Sequence, residues 1–194
     1  MARPRAFDEQ QVIDHAMAVF WHKGYEATSM CDLLQATGLT RGSLYKAFKS
    51  KRGLFLRTLE VYLMRSRAAL RDTLNASEDP LEALANWVDG GLSPEQECKG
   101  CFVVNITVEM APDDDEVRLL LSTHDQLTQQ LYTQCIARGQ QQGVFCDQMN
   151  AVDAAQLISV MLHGLQARAR AGLDPTQARR VISHMLSSLC ADAR

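Results

Sequence analysis

The feature that most constrains this chain is the period of its apolar residues, close to 3.6 in almost every segment that shows a period at all. Val12, Ile13, Ala16, Val19 and Phe20 make a one-sided stripe that an α-helix brings to a single face. Asp8 supplies an N-cap ahead of it, and Gly24 after Lys23 supplies the stop. Thr28 or Ser29 caps a second, short helix carrying Met30, Leu33 and Leu34, which ends near Gly38. Thr40 caps a third, from Arg41 to about Phe48, and Ser50 a fourth beginning near Lys51. That fourth helix is long, with Leu54, Phe55, Leu59, Tyr62, Leu63, Leu70 and Leu74 continuing its stripe. It stops at Ser77-Glu78-Asp79-Pro80, a polar stretch ending in proline that reads as a domain boundary.

The remainder reads as about five more helices. Leu81 to roughly Gly90 forms one, broken by Gly90-Gly91-Leu92-Ser93-Pro94. Cys101 to Met110 has strand-like composition, with Val103, Val104, Ile106 and Val108 clustered, but no segment offers it a strand partner, so a buried helix is expected. Pro112 opens a long helix whose first turn is Asp113-Asp114-Asp115-Glu116. Four carboxylates in a row resemble a metal site, yet acidic residues at a helix N-terminus complement the macrodipole, and no metal is expected. Two helices close the chain, at about 150–172 and 174–191. Asn150 with Asp153 reads as a capping box, and Asp174 precedes Pro175 at a first helical position. Their expected stripes are Leu157, Ile158, Met161, Leu162 and Leu165, then Ala178, Val181, Ile182, Met185, Leu186, Leu189 and Cys190. Such stripes bury internally or join a twofold mate in a four-helix interface.

Charge divides the chain as the helices do. The net charge of the 194 residues is −3, but residues 1–67 carry 11 Lys+Arg against 6 Asp+Glu, whereas 68–194 carry 9 against 17. A basic N-terminal third suits a polyanion, and an acidic remainder suits solubility. No apolar run has the length of a membrane span and the N-terminus lacks the apolar core of a secretory signal. The expected location is therefore the cytoplasm, with no membrane partner and with Cys31, Cys98, Cys101, Cys135, Cys146 and Cys190 as reduced thiols.

Three short helices with a Gly-containing turn fit the helix-turn-helix plan. Gly38 permits the sharp turn, while Leu33, Leu39, Leu44 and Phe48 hold the second and third helices at a set angle. Arg41, Gly42 and Ser43 then stand at the N-terminus of the helix that enters the major groove. Arg41 has the bidentate fork suited to guanine, Gly42 permits close backbone approach, and Ser43 donates to base or phosphate. Thr28, Thr40, Tyr45, Lys46 and Lys51 complete the expected DNA surface, and Arg3 and Arg5 form a basic arm suited to a minor groove. The segment TSMCDLLQATGLTRGSLYKAFKSKRGLF resembles the TetR/AcrR family of regulators. The match runs through Phe20, Gly24, Tyr25, Thr28, Leu33, Gly38, Ser43, Leu44, Tyr45, Phe48, Ser50, Lys51 and Leu54, over about residues 8–60. The resemblance implies phosphate clamps at Thr28, Tyr45 and Lys51.

It also implies an all-α protein with a helix-turn-helix domain at 1–52. A fourth helix at about 51–77 would link it to a ligand-binding and dimerisation domain at 78–194. The partners implied are double-stranded operator DNA, a second copy through the last two helices, and a small-molecule effector that releases a repressor from its operator. Trp87, Phe102, Met110, His124, Tyr132, Met161, His163 and Leu165 are candidates for the effector pocket, with ordinary core packing as the competing reading. Cys98-Lys99-Gly100-Cys101 is a C-x-x-C without the second pair a zinc site requires. It reads either as packing or as a redox or electrophile sensor whose thiolate Lys99 favours. No Ser-His-acid set, phosphate-cradling glycine loop or paired metal ligands appear, so neither catalytic residues nor a cofactor are expected.

Overall fold

The computed structural model describes residues 7–91 and 100–191, and Arg3, Arg5 and Cys98 fall outside them. Nine helices occur among the described residues: α1 (Glu9–Lys23), α2 (Met30–Thr37), α3 (Arg41–Phe48), α4 (Lys51–Leu74), α5 (Pro80–Gly90), α6 (Phe102–Glu109), α7 (Asp115–Gln141), α8 (Ala151–Arg170) and α9 (Pro175–Leu189). The only extended pairing described is an antiparallel bridge between Phe145 and Cys190. Asp8 caps α1 by accepting the N–H groups of Gln10 and Gln11, and Asp174 caps α9 by accepting that of Gln177. The Cys101–Met110 stretch is helical, and it places Phe102, Val103 and Ile106 in the interior.

The chain forms two compact units. One comprises Met1–Arg65 with Asn105–Leu120, the other Ser66–Val104 with Leu121–Arg194. Helices α4, α6 and α7 each contribute to both. The first unit is built on Val12, Ile13, Ala16 and Phe20 of α1, packed with Leu33, Leu44, Leu54, Phe55 and Leu59, all nearly or wholly buried. Phe20 meets Phe55 edge to face at 5.2 Å, and Tyr25 leans on Phe55 at 4.8 Å. The core of the second unit joins Leu70 and Leu74 of α4 and Leu84 and Val88 of α5 with Tyr132 and Ile136 of α7. Ala155, Ile158 and Leu162 of α8 and Ile182, Met185 and Leu189 of α9 complete it.

Two expectations are corrected by the structure. Asp153 does not reach back to the Asn150 backbone; its carboxylate takes the Asn150 side-chain amide, while Asn150 Oδ1 accepts the Asp153 N–H. The helix after Pro112 begins only at Asp115, because the Asp114 carboxylate accepts the N–H groups of Glu116 and Val117 and so stands ahead of the first turn. The stripes of α8 and α9 are mostly buried, with Leu157 and Val181 left 38% and 43% exposed.

Gly100 shows why a side chain is disfavoured in the turn before α6. Its φ is +64°, and a Cβ there would lie 3.0 Å from Arg170 Cβ and 3.3 Å from the Gln166 carbonyl oxygen of α8. Further inside the second unit, His124 is only 5% exposed, with Nδ1 3.3 Å from Arg67 Nη1. Burial, then the Arg67 guanidinium, then His163 push its ring from 6.5 down to about 4. Burial lowers His163 too, against the pull of Asp125, and raises the Asp125 carboxyl.

Between about 4 and 6.5 the unfolded chain therefore binds a proton at His124 that the folded chain refuses. The neutral ring's contribution is whole above that window and is lost as the pH falls through it, at most about 3 kcal/mol. Thermal melts should show stability falling from about pH 7 to about pH 5, with a shallower fall in His124→Gln. An equal slope in the variant would exclude His124 as the source.

Candidate nucleic-acid interface

Helices α2 and α3 are held by short, local hydrogen bonds. Ser29, rather than Thr28, caps α2: its hydroxyl accepts the Asp32 N–H at 3.1 Å, and Asp32 Oδ2 accepts the Ser29 N–H at 2.8 Å. Lys23 at the end of α1 sits 2.6 Å from Asp32, and with Ser29 it holds that carboxyl well below the usual carboxylate range. Gly38 adopts the left-handed conformation at φ +67°, ending α2 with its N–H on the Leu34 carbonyl. Thr40 then caps α3 by accepting the Ser43 N–H at 3.2 Å. Leu33, Leu44 and Phe48 lie beneath, so the opposite face of α3 is turned outward.

That outward face carries most of the expected residues. Thr40, Arg41, Gly42, Tyr45 and Lys46 are exposed, and Ser43 is half-buried with its hydroxyl 2.9 Å from that of Thr40. The Arg41 guanidinium lies 5.7 Å from the Tyr45 ring centre. A Cβ on Gly42 would meet nothing within 4 Å, so the fold itself does not demand glycine there. Among the described residues, no carboxylate lies within ion-pair distance of Arg41, Lys46 or Lys51. Lys51, at the start of α4, stands 4.3 Å from the Tyr25 ring centre and donates to the Glu26 carbonyl at 3.4 Å.

Thr28 is placed differently from the others. It is 1% exposed, and its hydroxyl donates to the Gly24 carbonyl at 2.6 Å, so it shapes the α1–α2 turn from inside. The sequence reading also missed the seat that Tyr25 makes for Lys51, and the bonds from Arg52 to Asp114 and Glu116 at 2.6–2.8 Å. No local spacing signals the latter, since the partners lie more than sixty positions apart.

The candidates for an effector pocket are divided between the two units. Met110 belongs to the N-terminal unit, whereas Trp87, Phe102, His124, Tyr132, Met161, His163 and Leu165 belong to the other. Within that unit, Trp87 Nε1 donates to the Tyr132 hydroxyl at 2.8 Å. Burial raises the Tyr132 phenol, and Cys101 adds to that rise. Phe102, His124 and Leu165 are buried, and Met161 packs against the core from its edge. Two open clefts, of about 350 and 620 Å³, are lined by other residues, Arg71 to Arg138 and Gln140 to Ala191 respectively. Among the described residues no cluster of His, Cys, Asp or Glu could hold a metal ion, and no helix is long and apolar enough to cross a membrane.

A short α3 with a basic, exposed outer face, set on α2 by a Gly turn and a buried Leu pair, defines a helix-turn-helix DNA-binding protein. Residues 12–58 match the family described as bacterial regulatory proteins, tetR family, and residues 78–185 match the tetracyclin repressor-like C-terminal domain. The chain belongs to the TetR family of DNA-binding transcriptional regulators. It is 30% identical over 174 residues to the HTH-type transcriptional repressor ComR of Escherichia coli, covering 88% of this chain and 83% of that one. It is 28% identical over 194 residues to the repressor BdcR of the same organism, covering 98% and 88%. A solved structure of a cysteine-substituted CifR, a TetR family regulator complexed with 26-bp double-strand operator DNA, superposes with a TM-score of 0.84. That pair is 28% identical, covering 97% of this chain and all of the other.

Tyr45→Ala and Lys46→Ala should weaken binding to every duplex alike, with Lys46→Ala also reducing the salt dependence by about one charge. Arg41→Ala should instead change which base is preferred, losing about 1–3 kcal/mol on the best sequence. Selection from a randomised duplex library, repeated for each variant, reads both effects. Unchanged base preference in Arg41→Ala would remove Arg41 from the base-reading set.

Proposed function

We propose that this chain is a homodimeric repressor that holds operator DNA through α3 and lets it go when a small molecule binds the second unit. The carrying observation is the α3 surface, where Arg41, Gly42, Tyr45 and Lys46 are exposed above a buried Leu44 and Phe48, and no carboxylate among the described residues pairs with Arg41 or Lys46. The relatives ComR and BdcR, named as repressors, support the direction of control. In this reading Arg41 to Ser43 meet base edges, while Tyr45, Lys46 and Lys51 anchor phosphates.

Dimerisation through α8 and α9 is supported by what those helices leave outside. Val152 and Val160 are 56% and 60% exposed, and Leu157 and Val181 join them. Gly164, on the same side of α8 as Leu157 and Val160, is exposed with open space where a Cβ would stand, which suits close approach of a partner helix. Effector binding acts by favouring a dimer geometry that mismatches the two half-sites. A second reading makes the signal covalent, through Cys101 and Cys98. It is favoured by the half-buried Cys101, which lies near enough to the Tyr132 phenol to add to its rise.

Replacing both Val160 and Val181 by Glu should convert the dimer to a folded monomer in sedimentation and reduce operator affinity by more than about tenfold. A dimer that persists in the double variant would exclude the α8–α9 face. For the covalent reading, treatment with a quinone should release DNA from wild type but not from Cys101→Ser; release from both would exclude Cys101.

A further inference from the structure

Glu109 is the last residue of α6, yet its carboxylate is bonded to the DNA-binding end of the chain. Oε2 accepts the Tyr25 N–H at 3.1 Å and Oε1 accepts the Glu26 N–H at 2.9 Å. Gly24 makes room for it: φ is +84°, and a Cβ would lie 2.7 Å from Glu109 Oε2. The turn so held carries the groups that set the DNA face. The Gly24 carbonyl takes the Thr28 hydroxyl, the Tyr25 carbonyl takes the Thr28 N–H, and the Glu26 carbonyl and Tyr25 ring hold the Lys51 ammonium. On the other side of Lys51, Arg52 is bonded to Asp114 and Glu116 just beyond α6.

We propose that Glu109 is a positioning residue for DNA binding, its carboxylate setting the 24–26 turn and, through it, the Lys51 ammonium and the start of α2. Two effects of opposite sign make this testable. Removing a negative charge from the unit that carries the α3 face strengthens that unit's attraction to any duplex by Coulomb's law. Removing a positioning group weakens the one duplex whose backbone matches the held geometry and leaves the others nearly unaffected. Gln has the size of Glu, but its amide NH₂ would face one of the two backbone N–H groups that the carboxylate now satisfies.

The test uses the full-length chain, a duplex selected from a random library by wild type, and an unselected duplex of equal length. Glu109→Gln should lose about tenfold or more on the selected duplex and change by less than about twofold on the unselected one. Affinity for the selected duplex kept within that twofold margin, or raised, would show that charge outweighs position and overturn the proposal. Equal losses on both duplexes would overturn it as well, since they mark general damage to the unit. Amide hydrogen exchange in the wild-type protein gives a check that does not depend on the variant folding. The Tyr25 and Glu26 amides should be protected, and in Glu109→Gln they should exchange faster while Leu44 and Phe48 of α3 do not. Tyr25 and Glu26 amides exchanging in wild type as in an unfolded chain would overturn the proposal outright.

Discussion

Backbone N–H groups that leave a helix need acceptors, and in the α1–α2 turn two of them find theirs in a side chain some 84 positions further along the chain. This constraint makes the N-terminal unit discontinuous in sequence. Residues 105–120 belong to it because Glu109 supplies acceptors to the turn while Asp114 and Glu116 supply them to Arg52 at the start of α4. The aromatic contacts among Phe20, Tyr25 and Phe55 depend on the same turn, since Tyr25 is the residue whose N–H is held. Net stabilisation from each such bond is modest, but leaving a partly buried N–H without an acceptor costs about 1–3 kcal/mol.

Charge in this unit is sorted by use. Asp14 pairs with Arg65, Asp32 with Lys23, and Asp114 and Glu116 with Arg52, all at 2.6–2.8 Å. These pairs are partly exposed, so each stabilises weakly. Their larger effect is on the remaining field. Among the described residues no carboxylate pairs with Arg41 or Lys46, so their exposed positive charge is left available to a polyanion.

Features set by neighbouring residues were legible in the sequence. The caps at Asp8, Thr40 and Asp174, the Gly38 turn and the buried Leu33, Leu44 and Phe48 all follow from spacings of a few residues. What was not legible depends on partners far along the chain or on which side of a helix is covered. Thr28 and Ser29 are adjacent hydroxyl residues, and only the fold decides that the first turns inward to Gly24 while the second caps α2. Leu157 and Val181 fit their helical stripes, yet they lie at edges that a single chain does not cover. Glu109 gave no signal at all, because one acidic residue ending an apolar helix has many ordinary explanations.

The open space at Gly42 has a consequence for how such a regulator changes over time. Leu44 and Phe48 cannot vary without disturbing the core, but position 42 answers only to what lies outside the protein. A side chain acquired there would cost helix α3 nothing in packing and, with glycine's low helix propensity removed, would stabilise it slightly. If position 42 meets the operator as proposed, operator preference there can drift without a loss of foldedness, leaving the scaffold intact while the sequence it recognises diverges.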